Sequence, residues 1–379
     1  MIEIRDKHDC CGCNACVQKC PVRCIRVYAD EEGFQYPAAD AKVCIDCGMC
    51  ENVCPEINGL PQRQPLHTFA VVNPNRQILK ISSSGGVFTY LAEKILADDG
   101  VVFGAAFDVD WSVHHIAITT IEELSLLRGS KYLQSRIEDS YREAEMYLKT
   151  GRKVMFTGTS CQIEGLRLFL RKEYANLLAV ECLCHGVPSP LVWQKYLRQT
   201  IGDKQIANIS FRDKYTGWEN YSFRIKMAEG EEFTELSRNN AYMKGFLSNI
   251  FLRPSCEQCP SKEGRSGSDI LLADYWGVKF LHPEYYDKGG TGLVMTFTMK
   301  GEEMMKGIPC HSVALEEAKK YNAGFSCRAH RHKKRAQFFE KLEKEDIESL
   351  IRKYCRVSFL SRIEKKVINL KIKIRNKVK

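Results

Sequence analysis

Two short cysteine runs near the N-terminus have the spacing of a metal-cluster motif. Each run reads C-x2-C-x2-C-x3-C-P, first from Cys10 to Pro21 and again from Cys44 to Pro55. Bacterial ferredoxins carry this pattern, in which three cysteines of a run bind one iron–sulfur cluster and the fourth binds the other cluster. The repeat therefore predicts two [4Fe–4S] clusters in a small electron-carrying module.

The same rule divides the eight cysteines into two ligand sets. The first cysteine group contains Cys10, Cys13, Cys16 and Cys54. The second cysteine group contains Cys20, Cys44, Cys47 and Cys50. Paired C-x2-C units also form four-cysteine zinc sites, but two complete runs, each closed by proline, favour iron–sulfur clusters. Cys11 and Cys24 are not needed by either set, and we assign them no role.

The cysteine content also bears on where the protein works. The chain has 379 residues and 18 cysteines, with no apolar stretch long enough to span a bilayer. Its first residues, MIEIRDKHDCCGC, lack the basic start and apolar run of a secretion signal. We therefore expect a cytoplasmic protein whose cysteines are metal ligands or reactive thiols rather than disulfides.

The positive charge is concentrated in the C-terminal tail. The formal net charge is +9, but residues 351–379 alone carry 11 Lys or Arg and one acid, so the rest of the chain sums to −1. A near-neutral body argues against a nucleic-acid enzyme with a basic cleft. Apolar tail residues recur at helical spacing, as in a membrane-surface helix or in a helix packed on the body. They are Val357, Phe359, Leu360, Ile363, Val367, Ile368, Leu370 and Ile374.

The rest of the chain alternates strand and helix patterns. A polar linker (56–67) leads into apolar strands and amphipathic helices, which predict an α/β body with some parallel pairing. Residues 207–236 change to period-two patterning and predict an antiparallel insertion. We expect an α+β protein with a ferredoxin-like module in residues 1–60, a mixed α/β body in 61–325 and a basic helical tail in 326–379.

The stretch ISSSGGVFTYLAEKILADDG places a serine–glycine loop (residues 82–86) directly before an amphipathic helix. Free amides at such a helix start can bind an anion such as phosphate. An ordinary N-cap followed by glycines would have the same sequence.

Four further cysteines lie in polar or glycine-rich loops of the body, and we name them the body cysteine group. They are Cys161, Cys184, Cys256 and Cys259. Loops after strands are where α/β proteins collect ligands. From spacing alone, the C-x2-C pair is compatible with half a zinc site, a redox pair or the edge of a cluster.

Several strings, in this order, resemble the motifs of the family of coenzyme F420 hydrogenase/dehydrogenase beta subunits. They are SSSGG, GSKYLQS, FTGTSCQIEGL, CHGVPSP, CEQCPSKEGRSGSDILLADYWG and KGGTGLVMTFTMKG. The resemblance implies an FAD-binding body with its own [4Fe–4S] cluster, held by the body cysteine group. The chain departs from the usual motifs at Ser160, where the family commonly has proline, and at Ala273, where it commonly has glycine.

The resemblance also implies a set of flavin-binding residues, to which the sequence adds candidates for chemistry. The implied contacts are Ser83, Ser84, Gly85, Gly86, Lys131, Tyr132, Gln134, Thr157, Gly158 and Thr159. Lys131 is the candidate cation beside the flavin ring, with a surface lysine as its alternative. His185 is a candidate proton donor because imidazole titrates near neutral pH, with a hydrogen-bonding loop histidine as its alternative. His114 and His115 are expected to serve structure.

Together these features predict an iron–sulfur flavoprotein oxidoreductase that passes electrons between clusters, FAD and a small organic acceptor, either coenzyme F420-like or another. The alternative is an electron-transfer subunit without substrate chemistry, which docks on a partner enzyme. A zinc-rich interaction or nucleic-acid-binding protein would need a basic body, which the charge distribution lacks. We expect a redox partner protein or ferredoxin, no nucleic acid, and peripheral membrane contact only through the tail.

Overall fold

The computed structural model describes residues 1–355. The strands in this range are β1 (Ile25–Ala29), β2 (Gln35–Ala39), β3 (His67–Val71), β4 (Val101–Phe107), β5 (Val113–Ile118), β6 (Ser135–Arg136), β7 (Val154–Gly158), β8 (Leu177–Cys182), β9 (Ile206–Asp213), β10 (Ser222–Met227), β11 (Glu232–Leu236), β12 (Ile270–Asp274), β13 (Gly292–Thr296) and β14 (Cys310–Ser312).

The α-helices in the same range follow in chain order. They are α1 (Ala15–Lys19), α2 (Met49–Asn52), α3 (Arg76–Ile81), α4 (Val87–Ala97), α5 (Leu124–Leu127), α6 (Ser140–Lys149), α7 (Ser160–Leu170), α8 (Pro190–Ile201), α9 (Ala241–Leu247), α10 (Val278–Leu281), α11 (Met299–Met305), α12 (Leu315–Lys319), α13 (Arg335–Leu342) and α14 (Ile347–Tyr354). Short 3-10 helices cover Lys7–Asp9, Lys214–Thr216, Pro254–Glu257, Pro283–Tyr285 and Ala323–Phe325.

The internal repeat of the cysteine runs is visible in the first 60 residues. One short helix in each run contains the third cysteine, Cys16 in α1 and Cys50 in α2. Each helix follows a residue with a left-handed backbone, Asn14 at φ 58° and Gly48 at φ 69°. Between the runs, β1 and β2 form an antiparallel hairpin. Equivalent positions in the two runs therefore adopt equivalent local structure.

A nine-stranded mixed sheet forms the centre of the body, in the order β14-β3-β13-β12-β8-β7-β4-β5-β6. The neighbours β12, β8, β7 and β4 run parallel, whereas β13, β3 and β14 on one side are antiparallel. The mixed α/β architecture expected from the alternation is confirmed. Because β4, β7, β8 and β12 are parallel, their carboxyl ends lie along one edge of the sheet.

The insertion expected in residues 207–236 is a separate three-stranded antiparallel sheet, ordered β11-β10-β9. Its apolar face packs against α8 and α9, where Phe211, Phe223, Trp193 and Tyr242 are all fully or almost fully buried. This packing fixes β9, and with it the polar residues at the end of that strand.

The segment expected to be a linker is held against the body. The amide of Leu60 donates to Glu164 Oε1 at 2.7 Å, and the amide of Arg63 donates to Gly264 O at 3.2 Å. Leu66 N continues the attachment to Thr296 O at 2.7 Å. These backbone amides of the irregular segment thus have hydrogen-bond acceptors in the body.

One core is shared by the cysteine-rich residues and the body. Ala15, Cys16 and Val53 are buried in the same cluster as Leu166 and Phe169 of α7. The division into segments 1–60, 61–325 and 326–379 remains a prediction.

At the other end, α13 and α14 pack into a second core through Phe338 and Leu350. The apolar tail residues from Val357 onward lie outside the described range. Among residues 1–355, no helix combines the length and apolar character that crossing a bilayer requires.

Candidate functional site

The first cysteine group is gathered and largely buried. Cys10, Cys13 and Cys16 are buried and Cys54 is half-buried. Burial raises the pKa of Cys16, and the neighbouring Cys10 and Cys54 raise it further. Burial likewise raises the pKa of Cys54 to about 11. Thiolates packed this closely repel one another, so the set suits a cationic metal centre that offsets the repulsion.

The second cysteine group lines a recess that opens at the surface, where Cys47 is exposed. Backbone amides point at its sulfurs: Ile2 N donates to Cys50 at 3.3 Å and Asp46 N to Cys44 at 3.4 Å. Amide donors of this kind tune iron–sulfur clusters. Cys24 lines the same recess, with its sulfur 3.4 Å from that of Cys20.

The body cysteine group is also brought together, although its members come from three separate segments of the chain. Cys161 lies in the first turn of α7, Cys184 follows β8, and the 3-10 helix Pro254–Glu257 carries Cys256. All four members line one cavity. Burial raises the pKa of Cys184 to about 12 and that of Cys256 to about 12.

Cys11 is a fifth thiol in the cavity of the body cysteine group. The neighbouring Cys13 raises the pKa of its thiol, and Cys161 is also a neighbour. Since Cys10 and Cys13 belong to the first cysteine group, Cys11 joins that group to the body group. The motif gave no reason to expect this, because it needs only four cysteines per run.

The spacing of the donors bears on what they could hold. Within residues 1–355, no three His, Cys, Asp or Glu side chains are close enough to chelate a single metal ion. The cysteines instead surround cavities or buried clusters. A [4Fe–4S] cubane differs from a single metal ion in taking one thiolate at each of its irons.

Buried carboxylates accompany the body cysteine group. Burial and the neighbouring Glu164 raise the pKa of Glu56 to about 7, and burial raises that of Glu164 to about 7 as well. Glu181 is buried and accepts hydrogen bonds from Ser160 at 2.5 Å and Ser266 at 2.6 Å. Ser160, which stands where the family commonly has proline, is thus a hydrogen-bond donor here.

The serine–glycine loop joins α3 to α4 beside the carboxyl edge of the sheet. Ser83 Oγ accepts from Ser130 N at 2.9 Å, and Ser84 Oγ donates to Thr291 O at 3.2 Å. Gly86 precedes α4 with φ 78°, and no side chain caps that helix. The amides of its first turn are therefore available to a bound anion.

A buried ion pair that no motif indicated lies against this loop. Arg212, at the end of β9, binds Asp274, at the end of β12, with Nη2 to Oδ1 at 2.9 Å, and Nη2 also donates to Ser83 O at 3.3 Å. Trp218 donates to Asp274 at 2.8 Å and stacks on Trp276 with ring centroids 5.2 Å apart. Among residues 1–355, Arg212 Nε is buried without an acceptor. Asp274 lies within the quoted ADYWG string, but Arg212 had no sequence signal.

Lys131 is half-buried near the carboxyl edge of the sheet. Its Nζ donates to Leu127 O at 3.3 Å and Arg128 O at 3.1 Å, and it lies 5.6 Å from the ring centroid of Phe107 at the end of β4. Burial lowers the pKa of Lys131 to about 7.

The other expected flavin contacts lie in several different surroundings. Tyr132 stacks on Phe246 at 4.8 Å, whereas Gln134 donates to Cys11 O at 3.3 Å, beside the cysteine groups. Thr157 donates to Phe103 O at 2.8 Å inside the sheet. Thr159 caps α7 and lines the body cysteine cavity.

The three candidate histidines also lie in different surroundings. His185 lines the body cysteine cavity, with Nε2 2.6 Å from Asn249 Oδ1, and burial lowers its pKa. His115 is buried between Ser135 and Thr157, at 2.7 and 2.9 Å, as expected of a structural residue. His114 lies 3.5 Å from Glu138.

Comparison with known proteins finds a family match for part of the chain. Residues 151–308 match the family model for the C terminus of the coenzyme F420 hydrogenase/dehydrogenase beta subunit. Residues 151–308 therefore resemble the C-terminal part of these beta subunits. The matched range contains the whole body cysteine group, Arg212 and Asp274.

Two curated proteins are similar to parts of this chain. The F subunit of the F(420)H(2) dehydrogenase of Methanosarcina mazei is 25% identical over 217 residues, which cover 52% of this chain and 61% of the relative. The protein "Ferredoxin 7Fe" of Hydrogenibacillus schlegelii is 51% identical over 41 residues, 11% of this chain and 46% of the ferredoxin. The chain thus spans less than two thirds of the length of either relative.

Among solved structures, a chain of the F420-reducing [NiFe] hydrogenase complex from Methanosarcina barkeri is similar, with a TM-score of 0.47 and 18% identity. The match covers 69% of this chain and 86% of the other.

Proposed function

We propose that this protein is an iron–sulfur flavoprotein oxidoreductase, which passes electrons between three [4Fe–4S] clusters, FAD and an organic acceptor. One observation carries the proposal. Twelve cysteines form three groups, and Cys11 connects the first group to the body group. The similarity to a ferredoxin and to a dehydrogenase subunit supports electron transfer as the role of these groups.

The residues around the serine–glycine loop fit a flavin nucleotide. Unfilled amides at the start of α4 and the unpaired Arg212 Nε offer donors for a pyrophosphate or a ring carbonyl. When bound, the clusters supply one-electron transfer and the flavin couples it to two-electron chemistry. The loop would orient the nucleotide, and Trp218 and Trp276 would exclude water from its edge.

Lys131 and His185 would handle protons in different places. Because burial lowers the pKa of Lys131 to about 7, its Nζ can take up and release a proton near neutral pH. His185 faces the body cysteine group, and its lowered pKa favours the neutral ring. We therefore propose Lys131 as the group that holds a proton for the organic acceptor, whether coenzyme F420-like or another.

The second candidate function is an electron-transfer subunit without substrate chemistry. The exposed Cys47 favours it, because a cluster that reaches the surface suits contact with a partner protein. The relative from Methanosarcina mazei is named as a subunit, which is in keeping with a redox partner. This candidate needs iron but no flavin.

Metal and flavin analysis of protein purified without oxygen tests both candidates. We expect about twelve irons, an equal amount of acid-labile sulfide and one extractable FAD per chain. About eight irons without flavin, in folded and fully loaded protein, would leave the electron-transfer subunit. Zinc in place of iron would overturn both.

A further inference from the structure

Four lysine or arginine side chains are buried among residues 1–355, and they differ in what neutralises them. They are Arg212, Arg253, Lys262 and Arg335. Arg212 is paired with Asp274, and Arg335 with Glu32. Neither Arg253 nor Lys262 has a carboxylate of residues 1–355 within ion-pair distance. A buried charge without an opposite charge is costly, so these two cations need another source of negative charge.

Arg253 is completely buried and contacts a member of both the first and the body cysteine groups, since its backbone O accepts from Cys256 N at 3.1 Å and its side chain reaches Cys10. Its Nε donates to Cys10 O at 2.7 Å and its Nη2 to Gln35 O at 2.9 Å, while Nη1 donates to Gln134 Oε1 at 3.0 Å. These acceptors satisfy the hydrogen bonds but are uncharged. Three residues further along the chain is Cys256 of the body group.

Lys262 lines the cavity of the body cysteine group. Its Nζ donates to Cys184 O at 2.5 Å and to Gly324 O at 2.6 Å, which are again uncharged acceptors. The buried Glu181 is occupied by serine hydroxyls instead. Glu56 feels the charge of Arg253, but no ion pair joins the two.

Arg253 and Lys262 have in common that both lie beside cysteine groups. A cubane with four thiolates is anionic, and reduction adds one electron and no proton, which increases its negative charge. We infer that Arg253 and Lys262 are the buried countercharges of the cluster sites, with Arg253 shared by the first and body groups and Lys262 restricted to the body group. The inference rests on the proposed function. A nearby cation stabilises the reduced cluster and so makes its reduction potential more positive.

Potentiometric titration of the loaded protein, with dithionite as reductant and electron paramagnetic resonance as the readout, tests this inference. Arg253→Gln should make two one-electron steps more negative, whereas Lys262→Gln should shift one. Arg253→Lys keeps the charge and should leave the potentials close to those of the unaltered chain. Arg26→Gln removes an equal charge from an exposed position, where solvent screens it, and should shift none.

Each outcome decides the question. Unchanged potentials in Arg253→Gln at full iron content would overturn the inference, and so would an equal shift of all three steps. If Arg253→Gln cannot hold iron, Arg253→Lys must still hold it, since loss from both would assign the effect to hydrogen-bond geometry instead of charge. Absence of iron from the unaltered chain would refute the proposed function itself, which the metal analysis detects separately.

Discussion

At the residue scale, the cysteines divide by what surrounds them and not only by spacing. Cys11 follows Cys10 directly, yet it lines the body cysteine cavity, whereas Cys10 belongs to the first group. A strand-like step in the backbone turns adjacent side chains in different directions, so two neighbours can face two sites. Gly12 permits the turn that follows, with φ 74°.

Substitution of Cys11 tests whether its thiol only lines the body cysteine cavity or is a ligand of a cluster. Cys11→Ser should retain all of the iron, because the body cysteine group supplies four thiolates without it. Cys161→Ser should lose about a third of the iron, since one cluster of three lacks a ligand. Iron per chain is the measurement. Equal losses from the two variants would make Cys11 a ligand and remove one member from the proposed set.

The buried Glu164 gives a pH prediction. Its pKa is raised from the usual 4.5 to about 7, so the folded state holds a proton that the unfolded state releases, and stability falls as the pH rises from about 5 to 7. The loss is on the order of 3 kcal/mol. Glu164→Gln keeps an acceptor for Leu60 N and should make this dependence less steep, while Glu56, whose pKa is also raised to about 7, keeps its own contribution. Urea unfolding midpoints at the two pH values measure it, and an unchanged slope would contradict the prediction.

At the element scale, the sequence predicted what depends on local pattern and missed what depends on contact. Alternating strands and helices, the antiparallel insertion and the loop before α4 all follow from residue periodicity and glycine placement. Arg212 lies in an ordinary antiparallel strand, and it reaches Asp274 only because two sheets pack together. The attachment of residues 56–67 to the body could not be predicted either. A polar, proline-rich segment has the same composition whether or not its backbone is hydrogen-bonded to the body.

Gly85 shows how tightly the serine–glycine loop fits the sheet. A Cβ there would lie 2.3 Å from Val71 O in β3 and 2.4 Å from Gly292 N in β13, and neither backbone group can move without displacing a strand. Gly85→Ala should therefore cost about 1–3 kcal/mol and weaken flavin retention.

Gly59→Ala is the matched control, because its Cβ would meet nothing closer than 3.6 Å. Thermal unfolding and flavin content compare the two variants. Similar stability of both would mean that the loop is not held against the strands as described.

At the scale of the whole molecule, the cysteine-rich residues and the body depend on one another. They share a core around α7, and Arg335 near the end of the described chain binds Glu32 in the β1–β2 hairpin, with Nη1 to Oε1 at 2.7 Å. Gly165 allows Cys13 to approach α7 closely, since a Cβ at position 165 would lie 3.0 Å from Cys13 Sγ. The spacing of the cysteines is enough to recognise the ferredoxin-like repeat in the sequence. The core that it shares with the body could not be predicted, because burial of α7 against α1 depends on tertiary packing.

Deletion of residues 1–56 should therefore damage the body, unlike removal of an independent module. It would uncover Leu166 and Phe169 of α7 and leave Arg335 without its carboxylate, and breaking a buried pair in this way costs about 3–5 kcal/mol. We expect loss of soluble, cooperatively folding protein, measured by sedimentation and thermal unfolding. A chain that ends at Cys355 keeps every contact described above and is the matched control. A soluble, stable body without residues 1–56 would show instead that the shared core is a docking surface between two units that fold separately.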